Sequence, residues 1–214
     1  MSPVTAQPAP PDAVQRFGAA TLLVERYAGW LSGPGVERGI IGPREAGRIW
    51  PRHLLNCAVL EKHLPASSSV CDLGSGAGLP GVVLALLRSD CRFVLLEPLL
   101  RRATFLEEVV ADLGLGDVTV LRARAEDYAS ERPAHDVVVA RAVAPLDRLA
   151  GWAFPLLRPG GVLLAQKGSA AADELADAAP VLDRWGAVDR EVMVSGEGDN
   201  VTHIVRTARP AEDA

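Results

Sequence analysis

The amino-acid sequence predicts an α/β fold, a mostly parallel sheet of about seven strands with helices on both faces and a helical cap at the N-terminal end. Three observations lead there. From Ser69 onward short apolar runs alternate with helical segments, the pattern of parallel strands joined by crossover helices. Before Ser69 the apolar residues follow helical spacing instead. Between the first apolar run and its helix lies Gly74-Ser75-Gly76-Ala77-Gly78, at the strand-to-helix turn where open parallel sheets bind ligands.

Residues 1–12 read as a flexible tail, because MSPVTAQPAPPDA carries neither the basic cluster nor the apolar run of a signal peptide or membrane anchor. The cap spans 13–65. Val14 to Leu31 places Phe17, Ala20, Leu23, Val24 and Tyr27 on one helical face, and Gly33-Pro34-Gly35 ends that helix. A second helix is predicted from Pro43 to Lys62, carrying Ile49, Trp50, Leu54, Leu55 and Val59. The sheet domain spans 66–209, with 210–214 as a second tail. Its predicted strands are Val70 to Leu73, Phe93 to Glu97, Val118 to Arg122, Asp136 to Ala140 and Gly161 to Gln166. Helices are predicted over Leu79 to Leu87, Leu99 to Leu113 and Leu146 to Leu157, the last bent at Pro155. Ala187 to Val194 and Thr202 to Thr207 alternate like an antiparallel pair, turning at Gly196-Glu197-Gly198-Asp199-Asn200.

A composition of 49% hydrophobic and 23% charged residues over 214 positions suits one folded domain with a short appendage. No apolar stretch reaches the ~20 residues of a membrane span, so a cytoplasmic protein is expected. Cys57, Cys71 and Cys91 lack disulfide or zinc spacing and read as buried thiols; no metal is expected. The net charge of -5 runs against nucleic-acid binding. Its distribution qualifies that: of 27 acidic and 22 basic residues, ten and four lie after residue 170, which leaves 17 and 18 before it.

The loop's chemistry separates two cofactors. Dinucleotide binders favour Gly-x-Gly-x-x-Gly, whereas here the third glycine arrives one residue early, at Gly78, and Leu79 fills the dinucleotide position. Asp72 precedes the loop, where a carboxylate can accept hydrogen bonds from the ammonium, or a nearby water, of an amino-acid-bearing cofactor. S-adenosylmethionine has no phosphate and suits an acidic loop. Gly74, Gly76 and Gly78 let backbone approach the cofactor. Glu97, 23 residues after Gly74, ends the second strand where an acid can take both ribose hydroxyls, a position that fits either cofactor. Ala125 and Glu126 follow the third strand, where a backbone amide and an acid flank an adenine.

The fourth strand ends Ala140-Arg141-Ala142-Val143-Ala144-Pro145, without the Asn/Asp-Pro-Pro-aromatic motif of amine methylation and without a nucleophilic cysteine. A nucleophile with a free lone pair and no proton to lose, such as guanine N7, needs neither; many small-molecule methyltransferases lack both as well. Arg141 is expected at the ligand-facing strand end, holding a cofactor carboxylate or a substrate phosphate. Lys167, one of two lysines, follows the fifth strand as a candidate substrate contact. Arg52, His53 and Asn56 are unevenly spaced for one helical face, which favours a structural role.

The ordered set Arg52-His53-Leu54-Leu55-Asn56, Asp72 to Gly81, Leu95 to Leu106, Arg124-Ala125-Glu126, Ala140-Arg141-Ala142 and Gln166-Lys167-Gly168 resembles the RsmG (GidB) family of 16S ribosomal RNA guanine-N7 methyltransferases. The resemblance covers about residues 45–170 and implies a Rossmann-like class I methyltransferase. It implies S-adenosyl-L-methionine as cofactor and N7 of one guanine in the 530 loop of 16S rRNA, within the small ribosomal subunit, as target. By the same resemblance Gly74, Leu79, Ala125, Glu126 and Arg141 correspond to cofactor contacts. Arg124, Arg141 and Lys167 correspond to positions tied to RNA or activity; Arg52 joins them as an RNA-binding candidate, and a monomer is expected. Asn56 stands where many members have Asp, and Pro98 and Arg101 replace a frequent Ser and Lys. A basic rim of Arg44, Arg48, Arg52, Arg101, Arg102, Arg122 and Arg124 reconciles RNA binding with the overall charge. A small-molecule methyltransferase or a non-catalytic cofactor-binding protein are the alternatives.

Overall fold

The computed structural model describes residues 5–131, 134–196 and 201–211. A seven-stranded sheet in the order β3-β2-β1-β4-β5-β7-β6 forms its centre. The strands are β1 (Ser69–Leu73), β2 (Arg92–Leu96), β3 (Val118–Leu121), β4 (His135–Arg141), β5 (Leu157–Lys167), β6 (Val188–Ser195) and β7 (Thr202–Ala208). The first five run parallel, and β7 pairs antiparallel with β5 and with β6. The chain therefore leaves β1 for β2 on one side and returns for β4 on the other. That reversal opens a crevice beyond the carboxyl ends of β1 and β4.

Side chains alternate across each strand, so one run of apolar residues feeds two cores. Val70, Phe93, Leu95, Val137, Val139, Leu164 and Ile204 pack on one face with the cap, α5 (Gly81–Leu87) and α6 (Leu100–Leu113). Cys71, Leu96, Val138, Ala140, Leu163, Ala165 and Val205 pack on the other, with α7 (Ala125–Ala129), α8 (Leu146–Ala153), α9 (Ala171–Asp177) and α10 (Ala179–Arg184). Helices cover both faces, as expected. All three cysteines are buried and free.

The cap departs from its predicted two helices. Gly18, at φ +48°, separates α1 (Pro11–Phe17) from a 3-10 turn and α2 (Thr21–Ser32), and α3 (Pro34–Glu37) follows. The second predicted helix is a 3-10 stretch at Pro43–Arg48, a π-helical turn at Ile49–Leu55, the short α4 (Asn56–Ala58) and a 3-10 turn at Glu61–His63. Pro51 has no N–H to continue an α-helical ladder. Residues 5–10, read from sequence within the tail, lie along α2, where Gln7 N donates to Glu25 O at 3.0 Å and Ala9 N to Glu25 Oε1 at 2.8 Å. The helix at Leu146 ends at Ala153, because Pro155 tightens the next turn to 3-10 and β5 starts early, at Leu157. The predicted turn between β6 and β7 lies, apart from Gly196, outside the described residues.

Candidate active site

The glycine-rich loop curls over the end of β2: Gly74 N and Ser75 N both donate to Leu96 O, at 2.9 and 3.1 Å. Gly74, Gly76 and Gly78 adopt φ of +73°, +59° and +95°, a region closed to most side chains. Their surroundings differ. A Cβ on Gly74 would lie 2.9 Å from Val143 Cγ2, and one on Gly78 would strike Val82 at 2.6 Å and the Tyr27 hydroxyl at 2.8 Å. At Gly76 the nearest atom is Gly74 O, 3.8 Å away, so this residue faces open space. Tyr27, from the cap, donates its hydroxyl to Ala77 O at 2.8 Å and holds the loop from outside the sheet domain.

Asp72 is fully buried; its Oδ2 accepts from Gly81 N at 3.0 Å, while Oδ1 has no hydrogen-bond partner. Burial pushes its carboxyl up to about 7, against the downward pull of the Gly81 N–H and the Ser75 hydroxyl. Asp72 thus ties the end of β1 to the start of α5. Glu97 is 2% exposed and already oriented, Oε2 accepting from Gly76 N and Oε1 from Leu99 N, both at 2.9 Å. Each oxygen keeps a further lone pair. Leu79 is buried beside the loop, and Ala125, also buried, begins α7 with Glu126 exposed next to it. Glu126 stands in the first turn of that helix.

Beyond the carboxyl ends of β4 and β5 the cap roofs a cavity of about 960 Å³, lined by Arg52, His53, Asn56, Arg141, Gln166 and Lys167 among others. Val143 also lines it, so one side chain walls the cavity on one side and backs Gly74 on the other. Strand alternation puts Arg141 and Gln166 on the cap face and Lys167 on the α8–α9 face. Arg141 Nη2 donates to His53 Nδ1 at 2.8 Å and Nη1 to Arg52 O at 3.3 Å. His53 Nε2 meets Glu45 Oε2 at 2.9 Å, and Arg52 Nε lies 3.4 Å from the same oxygen. Burial and Arg141 lower the pKa of His53, and Glu45 opposes them. Gln166 Nε2 donates to Asn56 O at 2.8 Å. Lys167 Nζ donates to Ala144 O and to Glu174 Oε2, both at 2.6 Å, which anchors α9 to the chain entering α8.

Arg141, Lys167 and Arg52 therefore meet at one cavity, whereas Arg124 is exposed ahead of α7 and does not line it. Of the predicted basic rim, Arg44, Arg48, Arg122 and Arg124 are exposed with no side-chain hydrogen bond or ion pair among the described residues, and Arg48 lines the cavity; Arg102 lies 4.0 Å from Glu97. Glu45, Glu174 and Tyr27 were missed as site residues. Glu45 reaches His53 only through the π-turn, and Glu174 sits on a helix whose alanine-rich, acidic segment shows little apolar period. No group of three or more His, Cys, Asp or Glu side chains gathers as a metal site among the described residues.

The family model for rRNA small subunit methyltransferase G (GidB) matches residues 21–203. The chain belongs to this family. Ribosomal RNA small subunit methyltransferase G of Streptomyces avermitilis is 55% identical over 201 residues, covering 93% of this chain and 84% of that protein. Its Nocardioides counterpart is 57% identical over 191 residues, covering 88% and 76%. Among solved structures, the S-adenosylmethionine-dependent methyltransferase SibL, in its apo form, aligns with a TM-score of 0.62 at 21% identity, over 86% of this chain and 62% of that one. A precorrin-6y C5,15-methyltransferase from Geobacter metallireducens aligns at 0.55 and 18%, over 78% and 89%. At those identities the likeness is one of fold, the Rossmann-like methyltransferase sheet.

Proposed function

We propose that the chain methylates N7 of a single guanine in the 530 loop of 16S rRNA, with S-adenosylmethionine as donor. The observation that carries this is the shared wall at Val143, with the glycine loop on one side and the cavity holding Arg141 on the other. Membership of the GidB family supplies the substrate class. When bound, S-adenosylmethionine supplies an electrophilic methyl group.

The residues present fit that cofactor. Gly76 faces open space, Glu97 is held at the end of β2 with lone pairs free for two ribose hydroxyls, and the Ala125 N–H is one of those left unpartnered at a helix start. We assign Asp72, Gly74, Gly76, Gly78, Leu79, Glu97, Ala125 and Glu126 to cofactor binding, Asp72 and Gly78 acting by shaping the loop. Guanine N7 carries a lone pair and loses no proton on methylation, so the chain's task is to align acceptor and donor and exclude water. The cavity is large enough for a base drawn out of its stack. Arg141 holds the acceptor or the cofactor carboxylate; Lys167, fixed by Glu174, positions the wall; Arg52 and Arg124 take RNA phosphates.

No helix among the described residues is long and apolar enough to cross a membrane. We read the protein as a cytoplasmic monomer acting where small subunits assemble. The test uses labelled S-adenosylmethionine with naked 16S rRNA, and with small subunits, from cells lacking the modification. One labelled guanine, cleavable by reduction and aniline, is expected, with severe loss in Arg141→Ala and no cofactor binding in Gly74→Asp. Transfer to metabolites but not RNA would move the chain to the small-molecule class; cofactor binding without transfer would make it non-catalytic.

A further inference from the structure

His53 is 8% exposed, yet both of its ring nitrogens are engaged by charged partners. Glu45, a carboxylate, can only accept at Nε2, and Arg141, a guanidinium, can only donate at Nδ1. The two partners therefore select one form of the ring: a neutral imidazole with its proton on Nε2 and its lone pair on Nδ1. Arg141 has a second tether from the same π-turn, the Arg52 carbonyl at 3.3 Å. Three charged groups face the ring: Glu45 from the 3-10 stretch before it, Arg52 from its own turn and Arg141 from β4.

We propose that His53 is a positioning residue for Arg141, its neutral ring relaying Glu45 to the guanidinium and releasing it on protonation. A proton on Nδ1 removes the acceptor that Arg141 uses and sets a cation against a cation. Arg141 then keeps only its longer tether, and the guanidinium swings free of the cavity wall. Burial and the charge of Arg141 both hold the ring neutral near neutral pH. Methyl transfer, an alignment-limited reaction, thereby acquires an acid limb set by His53 and not by any group that touches the reacting atoms. For its effect on turnover the inference rests on the methyltransferase reading; its geometry does not.

The test pairs a spectroscopic and a kinetic readout on the full chain. In 15N-histidine NMR, with the His53 signals assigned by their absence in His53→Asn, the Nε2–H form is expected at pH 8. Its pKa should rise in Arg141→Met and fall in Glu45→Gln. With small subunits as substrate, the acid limb of kcat should shift to lower pH in Glu45→Gln, while His53→Asn loses about tenfold or more in kcat at pH 8. An Nδ1–H form, a His53 titration indifferent to Arg141→Met, or an unmoved acid limb in Glu45→Gln would each overturn the relay. Should the wild-type chain fail to methylate rRNA while the NMR responses hold, the activity reading falls and the relay stands.

Discussion

Gly81 N donates to Asp72 Oδ2 at 3.0 Å, and a Cβ on Gly81 would stand 2.8 Å from Asp72 Cβ. The contact joins the first residue of α5 to the strand before the loop, and only a glycine allows the approach. Gly81→Ala forces β1 and α5 apart in a close-packed region. Chemical denaturation should show a loss of about 1–3 kcal/mol, the usual cost of overpacking. Unchanged stability would mean the loop has slack that the packing denies.

Asp72 gives a pH prediction. Its folded-state pKa of about 7 lies above the ordinary 3.8, so between those values the folded state binds more proton than the unfolded one, and the stabilisation present below pH 3.8 declines as pH rises and is gone above 7. Asp72→Asn cannot ionise. The stability of the variant relative to wild type should therefore increase from pH 6 to pH 8, by about 1.4 kcal/mol. A constant offset across that range would place the Asp72 titration elsewhere. The comparison between the two proteins cancels the histidines, whose lowered values act in the opposite direction.

The loop glycines should separate by readout. Gly78→Ala collides with Val82 and Tyr27 and should lower the unfolding midpoint, about 1–3 kcal/mol. Gly76→Ala meets open space and carries mainly its left-handed strain, about 1 kcal/mol, while weakening S-adenosylmethionine binding in calorimetry. Equal effects on stability would show that Gly76 is packed, not open.

Arg124 is exposed, with no side-chain partner among the described residues. Arg124→Ala should leave the melting temperature unchanged and weaken binding to 16S rRNA. The slope of log affinity against log salt should fall by about 1, the signature of one phosphate contact. An unaltered slope would remove Arg124 from the RNA interface.

Lys167 differs from Arg124 because it is nearly buried and bonded to Glu174. Lys167→Met leaves the Glu174 carboxylate, which also accepts from Leu146 N at 3.1 Å, without its cation. Activity and stability should drop together, with stability down by roughly 1–3 kcal/mol. Loss of activity at full stability would instead make Lys167 a direct substrate contact.

Strand and helix identity in the sheet domain was legible in the sequence because alternation and helical period are local signals, and Val70 to Leu73 or Leu99 to Leu113 carry them within one element. The glycine loop was legible for the same reason: Gly74 to Gly78 and Asp72 are neighbours in the chain. The cap was not. Gly18 breaks the first cap helix and Pro51 interrupts the second, redirecting hydrogen bonds that residue period cannot foresee, and the π-turn around Pro51 brings Glu45, His53 and Arg141 into line. Glu97 read as a ribose acid, but that its carboxylate is held by the Gly76 and Leu99 amides emerges only when β2 lies beside β1. Fold class, family and glycine loop were readable without coordinates, because each rests on short motifs, local in the chain and taken in order. Tertiary structure alone decided that Arg141 and Lys167 leave opposite faces of the sheet and meet at one cavity, because that depends on strands β4 and β5, the cap and α9 packing across long chain separations.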